Sequence, residues 1–331
     1  MKVLVSGGAG YIGGFVARSL EERGHGVVVL DDFSTGHRGA LGGWPLVELR
    51  CGETEAVAAA MKARGIEAVV HLSALSLVGE SVRDPGRYWR ENVGQAAGLL
   101  DACRRAGVER FVLSSTAAVY GEPEQVPIVE EHPLRPTNPY GATKVAIEQM
   151  LAHFQDAAGL GWVSLRYFNA AGAAPDGSLG EDHAPETHLL PLAFAAAQGT
   201  RGPLTIFGDD WPTPDGTCLR DYVHVVDLAA AHVLALEWLE AHPRRSLVAN
   251  LGGGAGTSVR EVIDAVARAA GREVPHSVGP RRAGDPAVLV AATGRARREL
   301  GWRPEHSSIE EIARDAWAWH RAHPRGFGEG A

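Results

Sequence analysis

The stretch V3-L-V-S-G-G-A-G-Y-I-G13 decides how the rest of this chain reads. A β-branched apolar run passes directly into glycines with the spacing Gly8-x-Gly10-x-x-Gly13, and Gly7 adds one more. Glycines there permit a tight turn and let backbone N–H groups approach a pyrophosphate at the positive end of the next helix. A glycine pattern alone is a weak signal, so its setting matters. A second apolar run, 27–30, ends at Asp31, near the spacing of about 20 residues at which a carboxylate can bond an adenosine ribose hydroxyl. The charge of Asp31 opposes a 2′-phosphate, so the expected cofactor is NAD rather than NADP.

Outward from that turn, short apolar runs at 3–5, 27–30, 68–70, 111–113 and 163–165 read as strands buried on both faces. Helical patterns lie between them at 13–23, 55–64, 87–105 and 139–158. This alternation predicts an α/β fold, a Rossmann-type doubly wound parallel sheet with helices on both sides. After Asn169 the texture changes, with Gly, Pro and Asp frequent in A171-G-A-A-P-D-G-S-L-G180 and G208-D-D-W-P-T-P-D-G216. The expected organisation is a dinucleotide-binding domain over 1–169 and a smaller α/β substrate-binding domain over 170–331. The strand–helix pattern resumes at 223–239 and 247–251, so 224–251 is expected to return to the first domain.

At 331 residues the chain is long enough for about two domains. Its composition, 45% hydrophobic and 22% charged, is that of a globular protein, and no solenoid-length repeat stands out. The net charge of −8 argues against a nucleic-acid partner. Any anionic ligand must be met by local cations. Cys51, Cys103 and Cys218 fit neither a metal nor a disulfide spacing, which points to reduced thiols. No metal is expected. The opening M1-K-V-L-V-S6 reads as a strand rather than a secretory signal, and no run is long enough to span a membrane. The expected location is cytoplasmic.

A second stretch, N138-P-Y-G-A-T-K144, bears on chemistry. Asn138 can cap a helix and Pro139 suits its first turn, so Tyr140 and Lys144 lie one turn apart. Such a pair can be mere surface decoration, since residues at i and i+4 share a face anyway. It can also be a base with its activator. A free tyrosine, with a pKa near 10, is a poor base, and a nearby lysine charge with a positive nicotinamide would favour the phenolate. Upstream, F111-V-L-S-S-T-A-A-V-Y-G121 places Ser114, Ser115 and Thr116 at the carboxyl end of a strand, where parallel sheets bind ligands.

With these pieces the chain resembles an extended short-chain dehydrogenase/reductase, and more closely the UDP-glucose 4-epimerase family. The resemblance runs almost end to end. It is carried by V78-G-E-S81, E91-N-V93, S114-S-T-A-A-V-Y-G121, R166-Y-F-N-A-A-G172, D215-G-T-C-L-R-D-Y-V-H-V-V-D227 and R281-R-A-G-D285. It implies reversible interconversion of UDP-glucose and UDP-galactose by C4 epimerisation, through a 4-keto sugar and transient NADH, with NAD retained between turnovers. Tyr140 is then the base, Thr116 bonds the same sugar oxygen, and Lys144 holds the nicotinamide ribose and lowers the tyrosine pKa. Further implied cofactor contacts are Gly7, Gly10, Tyr11, Ile12, Gly13, Asp31, Asp32, Asn92, Ser114 and Tyr167. Beyond Thr116 and Tyr140, implied substrate contacts are Phe168, Asn169, His188, Phe207, Arg220, Arg282 and Asp285. Guanidinium forks suit diphosphate oxygens in an acidic protein. The resemblance also implies a homodimer through helices near 87–105 and 139–158.

The match departs in three places. Within L49-R-C-G-E-T54, after the third strand, Cys51 stands where the family carries an aspartate toward adenine. Ser76 replaces a family lysine, and Leu289 falls where the family limits room around the sugar 2-substituent, which leaves UDP-N-acetylhexosamines open as substrates. The rival activities are a 4,6-dehydratase and a UDP-glucuronate decarboxylase. Both need a further acid or base near the threonine, and Ala117 and Ala118 offer none. A non-catalytic NAD-responsive protein on the same fold is the rival of another class. Retention of Tyr140, Thr116 and Lys144 speaks against it.

Overall fold

β1 (Lys2–Ser6) sets Val3 and Val5 toward one apolar cluster and Leu4 toward another, and both sides are buried. Side chains alternate across a strand, so a run that is apolar at every position must be covered on both faces. α1 (Tyr11–Glu22), β2 (Gly26–Leu30), β3 (Leu46–Val47), α2 (Thr54–Arg64) and β4 (Ala68–His71) follow. Next come α3 (Val78–Arg83), α4 (Pro85–Tyr88), a π-helical turn (Trp89–Gly94), α5 (Gln95–Ala106), β5 (Arg110–Thr116), α6 (Pro139–Ala158) and β6 (Gly161–Tyr167). The chain continues through β7 (Asn169–Ala171), α7 (Leu189–Gln198), β8 (Leu204–Phe207), β9 (Leu219–His224), α8 (Val225–Ala241) and β10 (Ser246–Leu251). It ends with β11 (Gly256–Ser258), α9 (Val259–Ala270), β12 (His276–Gly279), β13 (Val288–Leu289), α10 (Gly294–Glu299) and α11 (Ile309–Ala322). The structure, a computed structural model, describes residues 1–282 and 284–328. Ala283, within the R281-R-A-G-D285 motif, and residues 329–331, at the end of the expected second domain, lie outside the described residues.

Seven strands form one parallel sheet in the order β10-β6-β5-β4-β1-β2-β3. This is the Rossmann-type sheet that the sequence predicts. The order reverses between β1 and β4, which opens a crevice at the carboxyl ends of the strands. One face packs on α1 and α8 through Phe15, Leu20, Leu228 and Leu236. The other packs on α2, α5 and α6 through Met61, Leu99, Ile147 and Leu151. Beyond β6 the chain leaves this sheet. β7 pairs with β9, which also pairs with β11 and β13, while β8 pairs with β12. α7, α9 and α11 pack around these strands in a separate apolar cluster. The intervening α8 and β10 belong to the large sheet's layers, with β10 along β6 from Ser246 to Leu251.

One local detail differs from the sequence reading, and another agrees with it. The helix expected over 87–105 is interrupted by the π-helical turn, where Asn92 is buried. The third strand ends at Val47, before the 49–54 segment. That segment is a polar turn, with Glu53 N donating to Arg50 O at 3.0 Å and Gly52 N donating to Gln95 Oε1 at 2.5 Å. Among the described residues no helix is long and apolar enough to cross a membrane.

The C-terminal segment is fastened to the start of α8 by one carboxylate. Asp227 accepts from Glu305 N at 3.0 Å, His306 N at 2.9 Å and Ser307 Oγ at 2.6 Å. Nearby, Trp302 Nε1 donates to the Asp227 carbonyl at 2.8 Å. Removing the carboxylate strands several donors at once, at about 1–3 kcal/mol per unsatisfied buried group. Asp227→Ala is therefore expected to lower the urea midpoint by an amount equivalent to at least about 1 kcal/mol. An unchanged midpoint would show that the clamp contributes nothing.

Candidate active site

The glycine turn closes on itself through backbone. Gly7, at φ 75°, donates to Leu30 O at 2.9 Å, and Gly10 N donates to Gly7 O at 3.1 Å. A Cβ on Gly7 would sit 2.7 Å from Ser73 N, and one on Gly13 would collide with the Gly7 carbonyl. Only glycine allows this approach. The helix it opens has no side-chain cap and no acidic residue in its first turn, so its leading N–H groups face the crevice without a competing carboxylate. That arrangement fits a dinucleotide pyrophosphate. At the end of β2, Asp31 Oδ2 accepts from Ala9 N and Oδ1 from Phe33 N, both at 2.9 Å. Each oxygen keeps a further lone-pair direction for a ribose hydroxyl. Burial raises the Asp31 pKa, and the backbone donors oppose that rise. Asp32 accepts from Ser34 N at 3.0 Å and lies 3.6 Å from Arg50 Nε.

Cys51 is no substitute for a carboxylate. It turns inward toward Ser73 and Ser6, and burial pushes its thiol up to about 11. Three other residues expected to touch the cofactor do bracing work. Tyr11 Oη donates to Gly172 O at 2.7 Å, tying the glycine turn to the chain beyond β7. Ile12 packs on the apolar layer beneath the turn. Asn92 accepts from Leu75 N at 2.8 Å and donates to Leu75 O at 3.0 Å and Thr143 Oγ1 at 3.1 Å. Both its N–H donors are thereby occupied, and it holds the loop after β4 against α6.

At the other side of the crevice, Asn138 Oδ1 accepts from Gly141 N at 2.9 Å and starts α6, with Pro139 at its first turn. Tyr140 then stands beside Thr116 at the end of β5, near enough for the threonine hydroxyl to favour the phenolate. Thr116 Oγ1 also accepts from Ala118 N at 3.2 Å, which fixes the hydroxyl. One turn on, Lys144 is fully buried and its Nζ donates to Ser114 O at 2.8 Å. Burial brings the Lys144 pKa down to about 8, with Glu148 opposing. Burial also raises the Tyr140 pKa, and the nearby Thr116 hydroxyl offsets only part of the rise. The expected lowering by Lys144 is absent with this chain's groups alone, because the ammonium is itself desolvated and bonded to Ser114. Tyr167 lies beside them, its hydroxyl in a short contact with Ser114 Oγ.

Four of the residues expected at the substrate come together in the second lobe. Arg220 Nη1 is held by Leu219 O at 2.9 Å and Pro286 O at 3.0 Å, and Nη2 lies 3.9 Å from Asp285 Oδ1. Arg282 Nε lies 3.3 Å from Asp285 Oδ2, and its guanidinium stacks 4.3 Å above the Phe207 ring. Asn169, at the start of β7, pairs in register with Tyr222 of β9. Phe168 and Leu289 pack together on Val119, Tyr120 and Ile128. His188 lies in a cluster with Glu181, His183 and Glu186. Burial alone would lower both imidazoles, but the two neighbouring carboxylates outweigh it, raising His183 to about 9 and His188 to about 10.

Residues 3–252 match the model of a known family, described as the NAD dependent epimerase/dehydratase family. The chain belongs to that family. A UDP-glucose 4-epimerase of Corynebacterium glutamicum is 51% identical over 97% of this chain and 96% of its own. One from Lacticaseibacillus casei is 48% identical over 99% of both chains. A crystal structure of UDP-glucose 4-epimerase from Brucella ovis in complex with NAD superposes with a TM-score of 0.93 at 47% identity, over 96% of this chain and 97% of that one.

In this member of the family, much of the 215–227 motif is scaffold. Asp215 accepts from Thr217 N and Oγ1, both at 2.8 Å, and from Ser258 Oγ at 2.5 Å. Asp221 accepts from Gly253 N at 2.6 Å and Ala291 N at 2.9 Å. Arg220 stands between them, held in place by carbonyls. Sequence reasoning also missed a buried ion pair one turn below Lys144. Arg166 Nη2 donates to Glu148 Oε2 at 2.6 Å and Nε to Oε1 at 3.0 Å. Ser115 and Ser164 donate to the same carboxylate at 2.7 and 2.8 Å, and Arg166 Nη1 reaches Tyr120 Oη at 3.0 Å. The i+4 spacing from Lys144 was the one available signal. Arg166→Met leaves Glu148 buried without its counter-ion and is expected to destabilise the fold by about 3–5 kcal/mol in urea unfolding. The double variant with Glu148→Gln should recover part of that loss. A single-variant effect within about 0.5 kcal/mol of zero would contradict the pairing.

Proposed function

We propose that this chain interconverts UDP-glucose and UDP-galactose by inversion at the sugar C4, with NAD held in the crevice of the large sheet. The observation that carries the reading is Tyr140 beside Thr116, with buried Lys144 one turn further along α6 and Ala117 and Ala118 following the threonine. NAD, when bound, supplies the reversible two-electron acceptor for the C4–H bond, and its positive nicotinamide adds the charge that the phenol lacks. Tyr140 Oη then takes the proton of the sugar 4-hydroxyl and later gives it back. Thr116 donates to the same sugar oxygen and keeps it in line with Tyr140. Lys144, fixed by Ser114 O, presents its remaining N–H donors toward the ribose side of the crevice. Gly7, Gly10 and Gly13 admit the pyrophosphate, Asp31 takes the adenosine ribose, and Asp32, Ser114 and Tyr167 complete that side.

Arg220 and Arg282 grip the diphosphate, Asp285 accepts from the uridine ribose, and Phe207 offers a ring face. Asn169 and Phe168 border the sugar. Anchoring at the diphosphate leaves the 4-keto sugar free to turn its other face before the proton returns. No acid or base stands beside Thr116 to drive loss of water across C5 and C6, which separates this reading from a dehydratase. The division of labour assigns NAD to 1–169 with 224–251, and the UDP-sugar to 170–331.

Incubation with UDP-galactose is expected to yield UDP-glucose, and a 4-keto-6-deoxy product would sink the assignment. Tyr140→Phe should lower the interconversion rate by about 10²- to 10⁴-fold. An unchanged rate would remove Tyr140 from the chemistry.

We also propose a cytoplasmic homodimer. The free, buried thiols of Cys51 and Cys103 suit a reducing compartment. Val78, Val82 and Trp89 leave large apolar area exposed on α3 and the π-helical turn, beside the helices expected at the interface. Sedimentation equilibrium should give twice the chain mass, and a monomer at micromolar concentration would overturn the dimer.

A further inference from the structure

The loop E181-D-H-A-P-E-T-H188 leads into α7 and gathers two imidazoles and two carboxylates around one point. One ligand atom from each of Glu181, His183, Glu186 and His188 lies within 4.8 Å of all the others. His188 Nδ1 is 2.7 Å from Glu181 Oε1 and 3.1 Å from Glu186 Oε1. His183 Nδ1 is 3.1 Å from Glu181 Oε1 and 3.8 Å from Glu186 Oε2. Two separate ion pairs would give each nitrogen its own carboxylate. Here each nitrogen faces both.

A tetrahedral zinc ion with bonds of about 2.0–2.2 Å has neighbouring ligand atoms about 3.3–3.6 Å apart. The four nitrogen–oxygen separations bracket that range. His183 Nδ1 supplies an independent sign. It is shielded from solvent and, although 3.1 Å from Glu181 Oε1, is not aligned to hydrogen-bond with it. A buried ring nitrogen without a hydrogen-bond partner is free to bind an ion.

The surroundings hold the loop in place. Glu181 is buried, and its carbonyl accepts from Trp319 Nε1 of α11 at 3.1 Å. The ring of Tyr11, from α1, stands edge-on to His183 at 6.1 Å between centroids. Two carboxylates also neutralise a dication, which matters in a partly buried setting.

We propose that Glu181, His183, Glu186 and His188 form a closed structural site for a divalent transition metal, with zinc the ion that this donor set suits. Two imidazoles argue against magnesium and calcium, which take oxygen ligands. All four tetrahedral positions come from the chain, so no position remains for a reacting water, and the role is structural. The ion replaces the protons that the carboxylates otherwise hold on the imidazoles. It fastens the loop entering α7 where α1 of the first domain and α11 of the second converge. The sequence reading set no metal here and gave His188 to the substrate on the family resemblance.

The test uses the full chain, stripped with EDTA, loaded with zinc chloride alone and passed through gel filtration. One zinc per chain by mass spectrometry is expected, with a melting temperature several degrees above the stripped protein. Magnesium chloride should leave no retained ion and no shift. His188→Ala, a half-exposed side chain whose loss the fold tolerates, should abolish stoichiometric retention. Cobalt(II) on the unaltered chain should give the intense visible absorption of a tetrahedral site, which decides the matter even if the variant folds poorly. Zinc well short of one per chain, or equal retention by His188→Ala and Glu186→Gln, would overturn the site and leave two His–Glu ion pairs only.

Discussion

Helix α6 is fixed to the large sheet by polar bonds at two successive turns, and the placement of the reacting groups depends on that attachment. Lys144 donates to the Ser114 carbonyl, and Glu148 binds Arg166, Ser115 and Ser164 one turn below. Apolar packing of Ile147 and Leu151 supplies most of the adhesion, but packing alone tolerates sliding. Directed bonds do not. They set how far Tyr140 reaches over the end of β5, and so set its meeting with Thr116. Burying an ion pair gains little net stability over an apolar replacement. Its service here is positional.

The same division between adhesion and placement recurs in the second lobe. The 215–227 segment is dense in charged and polar residues, yet most of them bond backbone within the protein. Asp215, Asp221 and Asp227 each satisfy donors from segments far along the chain. Arg220 is left between these fixed points, its guanidinium steadied by two carbonyls and directed toward Asp285 and Arg282. A diphosphate bound there, as proposed, would meet preset cations in a protein whose overall charge is −8. Tyr11 joins the two halves directly through the Gly172 carbonyl, so the cofactor turn and the start of the second lobe share one support.

The electrostatics of the reacting tyrosine show where sequence reasoning meets its limit. Lysine one turn from tyrosine suggests a lowered phenol pKa. In the fold both groups are desolvated, and desolvation raises a phenol while it lowers an ammonium. Burial therefore moves the phenol away from neutrality, and a phenolate at Tyr140 calls for another positive charge in the crevice. Binding of the oxidised cofactor supplies that charge. Proton abstraction is thereby coupled to the cofactor state that can accept electrons.

What the sequence by itself determined was whatever rests on local periodicity and backbone permissiveness. The alternation of buried runs and helices, the glycine turn, Asp31 at the end of β2, the Asn138 cap and the Tyr140–Lys144 spacing are all of this kind. Each depends on residues within a few positions of one another, so each is legible without the fold. Tertiary structure decided the rest. It gave Asn92, Tyr11 and Ile12 partners within the protein, turned Cys51 inward, joined Glu148 to Arg166, and brought His188 to Glu181, His183 and Glu186. Those outcomes depend on which distant segments supply the partner and how much water is excluded, and neither quantity is written in the spacing of the chain.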